Sequence, residues 1–239
     1  VPRMAPERAL ELLADADAGL QRTLAAASGG SWLAEPSVCT GWSRGHVLAH
    51  LARNADALQR LVDWALTGVQ RPAYDSLEAR NRDIEEGATR QLAEVREDLA
   101  RSSEAFAVKA RELLGASDLA LVRTGSSGLT LPGDQVPWAR LREVTLHHAD
   151  LRAGFTVADA PTEVVVHALA EARAKLGAHP NCPPVTLVVS GSGERWLLAG
   201  GGPEVHGAPA GLLAWLARGL TDGVAVPGGD RPPALPPWG

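Results

Sequence analysis

Glu143 and His147 stand four residues apart, and Asp150 follows three further on. A helix over this stretch puts all three side chains on one face. That face is not purely polar. Leu146 brackets the trio on one side, Val144 and Leu151 on the other, and Val136 and Ala139 share its side of the helix. Charges set among apolar neighbours are costly to bury unless they are paired or bound to a metal. The plainer alternative is a solvent-facing strip with an ordinary Glu–His contact; the flanking Val136, Ala139 and Leu146 argue for the buried reading. A second imidazole is available upstream. Val47, Leu51, Leu58, Leu61 and Ala65 form one stripe of a helix, and His50 falls about 60° from its centre, at the edge. Taken alone, such a histidine is more often a hydrogen-bonded core residue than a ligand. Together, His50, Glu143 and His147 supply two imidazoles and a carboxylate, the donor set of a catalytic zinc site with a position left open for water or substrate. His148 or Asp150 could replace a neighbour in that set, and His46 or His148 would be the alternative should His50 not be a ligand. Asp150 is better cast as the group that orients a ligand imidazole or a bound substrate.

Other chemistries find no support. The two cysteines, Cys39 and Cys182, sit in no CxxC pair, which excludes a zinc finger, and they are too far apart to outline a disulfide framework. A cytoplasmic, reducing location is the expectation. No G-x-S-x-G stands between a strand and a helix, and the glycine run 200–202 has no lysine near it, so neither a nucleophile elbow nor a phosphate-binding loop is present.

The elements that must position these residues are helical in the first two thirds. Pro6 suits a first helical turn, and the chain after it shows apolar residues at three- and four-residue spacing until Gly29 and Gly30. Ser43 caps a second helix that Gly68 stops. A third runs from near Ser76 to about Leu114, with a possible break at Gly87; residues 115–135 read as a loop; Pro137 opens a fourth helix closed by Gly154. Beyond residue 155 the texture changes. A helix over PTEVVVHALAEARAKLG precedes two β-like runs, PVTLVVSG and ERWLLAG, joined by a GSG hairpin turn, and then a helix over APAGLLAWLARGL. The expectation is an α+β chain: a four-helix bundle over 1–154 and a smaller α/β domain over 160–239. With 239 residues, 45% of them hydrophobic and 21% charged, the chain can bury a core. A net charge of −5 argues against nucleic acid as a partner. No apolar run reaches the ~20 residues of a membrane span, and VPRMAPERAL shows no signal-peptide apolar region.

The runs GWSRGHVLAHLARNADAL, RNRDIEEGA and PWARLREVTLHHADL, with WLARGL and PPWG near the C-terminus, resemble the mycothiol-dependent maleylpyruvate isomerases, within a wider group of DinB-like helical metalloproteins. The resemblance runs in order over nearly the whole chain. It implies a metal site at His50, Glu143 and His147, the residues the helix faces select, and a functional acid at Asp150. It places the functional arginine of the second domain nearest to Arg218, here in WLARGL, where the glycine follows the arginine instead of preceding it. Arg80, which opens RNRDIEEGA, matches a characteristic position; a pocket role and a solvated helix arginine are about equally consistent with its acidic neighbourhood.

The activity implied is cis–trans isomerisation of maleylpyruvate, a dicarboxylate, to fumarylpyruvate in gentisate degradation, with Zn2+ and mycothiol as cofactors. Rotation about a carbon–carbon double bond is slow. Thiolate addition to the bond conjugated with the ketone leaves a rotatable single bond, and loss of the thiolate then gives the trans product. A metal-coordinated thiol is deprotonated at neutral pH. The resemblance implies that Arg218 binds a substrate carboxylate or the oxygen on which charge develops. Two other readings share these residues: a mycothiol-dependent S-transferase acting on another electrophile, and a non-catalytic metal- or ligand-binding bundle.

Overall fold

A computed structural model describes residues 3–124 and 130–237. Two compact units divide the chain, one covering Arg3–Phe155 and the other running from Thr156 onward.

The first unit is built on four long helices, α1 (Pro6–Ala26), α2 (Arg44–Thr67), α4 (Leu92–Ala110) and α5 (Val136–Asp150), with a shorter α3 (Leu77–Ala88) between α2 and α4. Around the bundle, α1 packs on α5, α5 on α2, α2 on α4 and α4 on α1, while α3 lies against α2. The apolar spacing dictates which face turns inward. Leu12, Leu13, Leu20 and Leu24 of α1, Val47, Leu51, Leu58 and Leu61 of α2, and Val95, Leu99 and Phe106 of α4 are all buried. Each such side chain contributes roughly 1.5–3 kcal/mol when fully withdrawn from water.

The helix read from Ser76 to Leu114 is in fact two. The break falls at 89–91, not at Gly87, because Gln91 and Glu94 form a capping box that starts α4 afresh. Gly87 serves instead as a contact point: a Cβ there would lie 2.7 Å from the Cβ of Ala49, so its lack of a side chain lets α3 approach α2 closely. The loop expected over 115–135 contains a short antiparallel pair, β1 (Leu121–Arg123) and β2 (Thr130–Pro132); the Gly-Ser run between them lies outside the described residues. The last bundle helix ends at Asp150, before Gly154.

The second unit places α6 (Thr162–Gly177) and α7 (Pro209–Arg218) with a four-stranded sheet ordered β4-β3-β5-β6. The expected hairpin is β3 (Val185–Val189) against β4 (Arg195–Leu198), antiparallel. Two strands were not expected. β5 (Glu204–Gly207) pairs in parallel with β3, and the two-residue β6 (Val224–Ala225) pairs antiparallel with β5. Every residue of β3 is buried, as befits a central strand, whereas Leu197 on the edge strand β4 is exposed.

Candidate metal centre

Three features hold the bundle around one polar cluster. Ser43 caps α2: its hydroxyl accepts from the backbone of His46, and the His46 Nδ1 accepts from the Ser43 backbone. His46 is thereby spent on the cap and on Glu85, 3.1 Å from its Nε2, and does not join the cluster. Arg140, fully buried one turn before Glu143, donates to the Leu51 carbonyl at 2.7 Å, to Asn54 at 2.9 Å and to Ser103 at 3.1 Å, tying α5 to α2 and α4. The 35–43 loop is fastened to the end of α5: Val38 donates to the Asp150 carbonyl at 2.9 Å, and Arg44 donates to the carbonyls of Leu151 and Arg152.

Within this frame His50 of α2 and Glu143 and His147 of α5 come together, with candidate ligand atoms within 4.8 Å of one another. His50 Nε2 donates to Glu143 at 3.2 Å, and His147 Nε2 lies 3.6 Å from the same carboxylate oxygen. On its other side, His147 Nδ1 donates to Asp150 at 2.8 Å. Asp150 is thus positioned to fix the ring so that Nε2 faces Glu143 and His50. His148 turns away. Its Nε2 lies 2.8 Å from the Thr23 hydroxyl of α1, and its ring stacks on Phe155. Arg80 of α3 reaches the cluster, donating to His50 Nδ1 at 3.2 Å, with its guanidinium over the rings of Trp42 and Tyr74. Arg218 is the last residue of α7, in the second unit.

The electrostatics follow from burial opposed by pairing. Burial drives the His50 pKa down to about 4, and the hydrogen bond to Glu143 offsets only part of this. Burial also raises Glu143, but hydrogen bonds from His147 and His50 outweigh it and hold its carboxyl well below the usual range. His147 goes the other way: burial is overcome by Asp150, Cys39 and Glu143, and its pKa stands well above that of free imidazole.

Cys39, which stands in no metal-binding spacing in the sequence, also reaches this site. Its Sγ lies 3.3 Å from Asp150 and 3.9 Å from His147 Nδ1. Only the closure of the 35–43 loop on α5 brings it there, and a helix-face argument has no access to that. Trp42 was likewise missed as a wall of the site; its ring centroid is 5.5 Å from that of His50.

The first unit is a helical bundle holding a two-histidine, one-carboxylate cluster that could bind a metal ion, and the second is a small α/β unit. Comparison with known proteins places it more closely. The profile of the mycothiol maleylpyruvate isomerase N-terminal domain matches residues 3–152. Two solved structures share the fold over 98% of both chains: a mycothiol-dependent maleylpyruvate isomerase at 32% identity and TM-score 0.87, and a histidine-to-alanine mutant described under the same name at 31% and 0.90. No curated protein matches at a significant level. The chain belongs to the mycothiol-dependent maleylpyruvate isomerase family.

Proposed function

We propose that the protein isomerises maleylpyruvate to fumarylpyruvate with mycothiol as thiol cofactor and a zinc-type ion held by His50, Glu143 and His147. The observation that carries this reading is the convergence of those three donors from α2 and α5 beside Arg80. The donor set fits such an ion: two nitrogens and one carboxylate, already oriented by Asp150, leave coordination positions for other ligands. When bound, the metal would hold a thiol as thiolate at neutral pH, and the thiol would supply the nucleophile that lowers the order of the substrate double bond.

The chain's own residues do the rest. Asp150 keeps the proton on His147 Nδ1, leaving Nε2 for the metal. Arg80, held on the faces of Trp42 and Tyr74, offers a planar cation to a carboxylate or to the substrate oxygen on which charge develops. By the family resemblance Arg218 serves as a further anion contact. The family resemblance implies a step in gentisate degradation, and two free cysteines suit a reducing cytoplasm.

The test is an isomerase assay with and without mycothiol on protein of known metal content. Turnover that requires both supports the reading. Thiol- and metal-dependent conversion of other electrophiles without isomerisation would replace it by thiol transfer, and stoichiometric metal with no turnover of any electrophile would leave a binding module.

A further inference from the structure

Beside Arg80 the first unit holds a cavity of about 210 Å3, walled by Trp64, Tyr74 and Leu77 and carrying two arginines, Arg80 and Arg123. Among the described residues no carboxylate lines it. This is unusual in a chain of net charge −5 whose nearby arginines are mostly compensated: Arg53 pairs with Asp56 and Asp98, Arg60 with Asp75, and Arg71 with Asp63. Among the described residues Arg80 touches neutral groups: Asn81 at 3.1 Å, His50 at 3.2 Å, the Tyr74 side chain by a hydrogen bond, and the faces of Trp42 and Tyr74. Arg123, exposed on β1, makes no ion pair among the described residues. Two uncompensated guanidinium groups against apolar walls form an anion site suited to a flat carbon skeleton. Arg80 links it to the metal centre, because the same guanidinium that lines the cavity donates to His50.

We propose that this cavity is a carboxylate subsite for an unsaturated dicarboxylate, with Arg123 and Arg80 holding the carboxylate remote from the reacting carbons. The assignment deepens the isomerase reading and rests on it for the identity of the substrate, but the anion binding is a property of the chain itself.

Calorimetry on the metal-free protein tests it, with maleate and fumarate compared against the monocarboxylate crotonate. The dicarboxylates should bind about tenfold more tightly than crotonate, and Arg123→Gln should remove about that advantage while leaving crotonate alone. Leu77→Glu, an acid at a helix start where it is tolerated, should weaken maleate binding in the same way by placing a like charge in the lining. In metal-loaded protein, Arg123→Gln should raise KM more than it lowers kcat. Equal affinity for maleate and crotonate, or equal maleate affinity with and without Arg123, overturns the subsite. Arg123-dependent maleate binding in a protein that performs no thiol-dependent isomerisation would keep the subsite and remove the isomerase reading; isomerisation with an unchanged KM in Arg123→Gln would do the reverse.

Discussion

The thiol of Cys39 donates to Asp150 Oδ2 across 3.3 Å, and that same carboxylate oxygen accepts from His147 Nδ1 at 2.8 Å. Asp150 is therefore shared between a candidate metal ligand and a cysteine, whose Sγ also lies 3.9 Å from the same His147 Nδ1. Since the nucleophile in the proposed reaction comes from the cofactor, Cys39 is a support. Serine preserves the donor, so Cys39→Ser should keep thiol-dependent turnover within about fivefold, the equivalent of ~1 kcal/mol for a weakened hydrogen bond. Steady-state kinetics on a variant with verified metal content decide the point. Abolished turnover with the metal still bound would make the Cys39 sulfur a participant.

Asp150 itself should matter more. Asp150→Asn keeps the shape but removes the charge that holds the proton on His147 Nδ1, and the outer partner of a metal-binding histidine is typically worth 10–100-fold in affinity. Competition with a chelator of known affinity measures this directly. An unchanged metal affinity would show that the ring is oriented by packing and not by the acid.

Metal loading should also release a proton. With its pKa held well above that of free imidazole, His147 is protonated in the metal-free protein at neutral pH; His50, at about 4, is neutral, and Glu143, held low, is ionised. The ion needs a lone pair on each donor, so only His147 must give up a proton, and about one should appear per metal bound near pH 7. The sign follows: apparent metal affinity weakens as pH falls below the raised pKa of His147. A weakly buffered titration with an indicator dye counts the protons, and a count near zero would contradict the charge state assigned to His147.

Removing His50 should empty the site without unfolding the bundle. Its ring is buried, but the stripe of Val47, Leu51, Leu58 and Leu61 that packs α2 remains. His50→Ala should therefore lose the metal and all turnover while keeping a cooperative thermal transition. Full metal occupancy in that variant would take His50 out of the ligand set, and the position of His46, already spent on the Ser43 cap and Glu85, gives no ready substitute.

What was legible in the sequence is what helical periodicity controls. Glu143, His147 and Asp150 share a face at fixed spacing, and His50 sits at the edge of an apolar stripe, so their convergence needed only that α2 and α5 pack together. Cys39, Trp42 and Arg140 depend on nonlocal partners. The first two arrive when backbone bonds such as Val38 to Asp150 close a loop, and Arg140 hid its role inside a run that reads as an ordinary charged helix turn. The strands β1, β2, β5 and β6 are two to four residues long, too short to show alternation, and they exist because a neighbouring strand accepts their hydrogen bonds.

The remaining expectation concerns Arg218, and it separates metal from chemistry. As the last residue of α7, with Gly219 in the left-handed conformation behind it, Arg218 occupies a position where a cation is favoured by the helix dipole. Its guanidinium donates to the Ala217 carbonyl at 2.9 Å, as a helix-terminal arginine would. A purely structural role of that kind is worth about 0.3–1 kcal/mol to stability and nothing to catalysis. A charge contact to a substrate anion is worth ~2.7–4 kcal/mol, a hundredfold or more in rate. Arg218→Gln should then keep metal content and thermal stability close to the parent yet lose most isomerase activity. Arg218→Lys should restore only part of it, since an ammonium cannot make the planar two-pronged contact. Turnover and melting temperature measured on the same preparations distinguish the two roles: near-parental rates in Arg218→Gln with a slightly lowered melting temperature would reduce this arginine to a helix cap and the second unit to a scaffold.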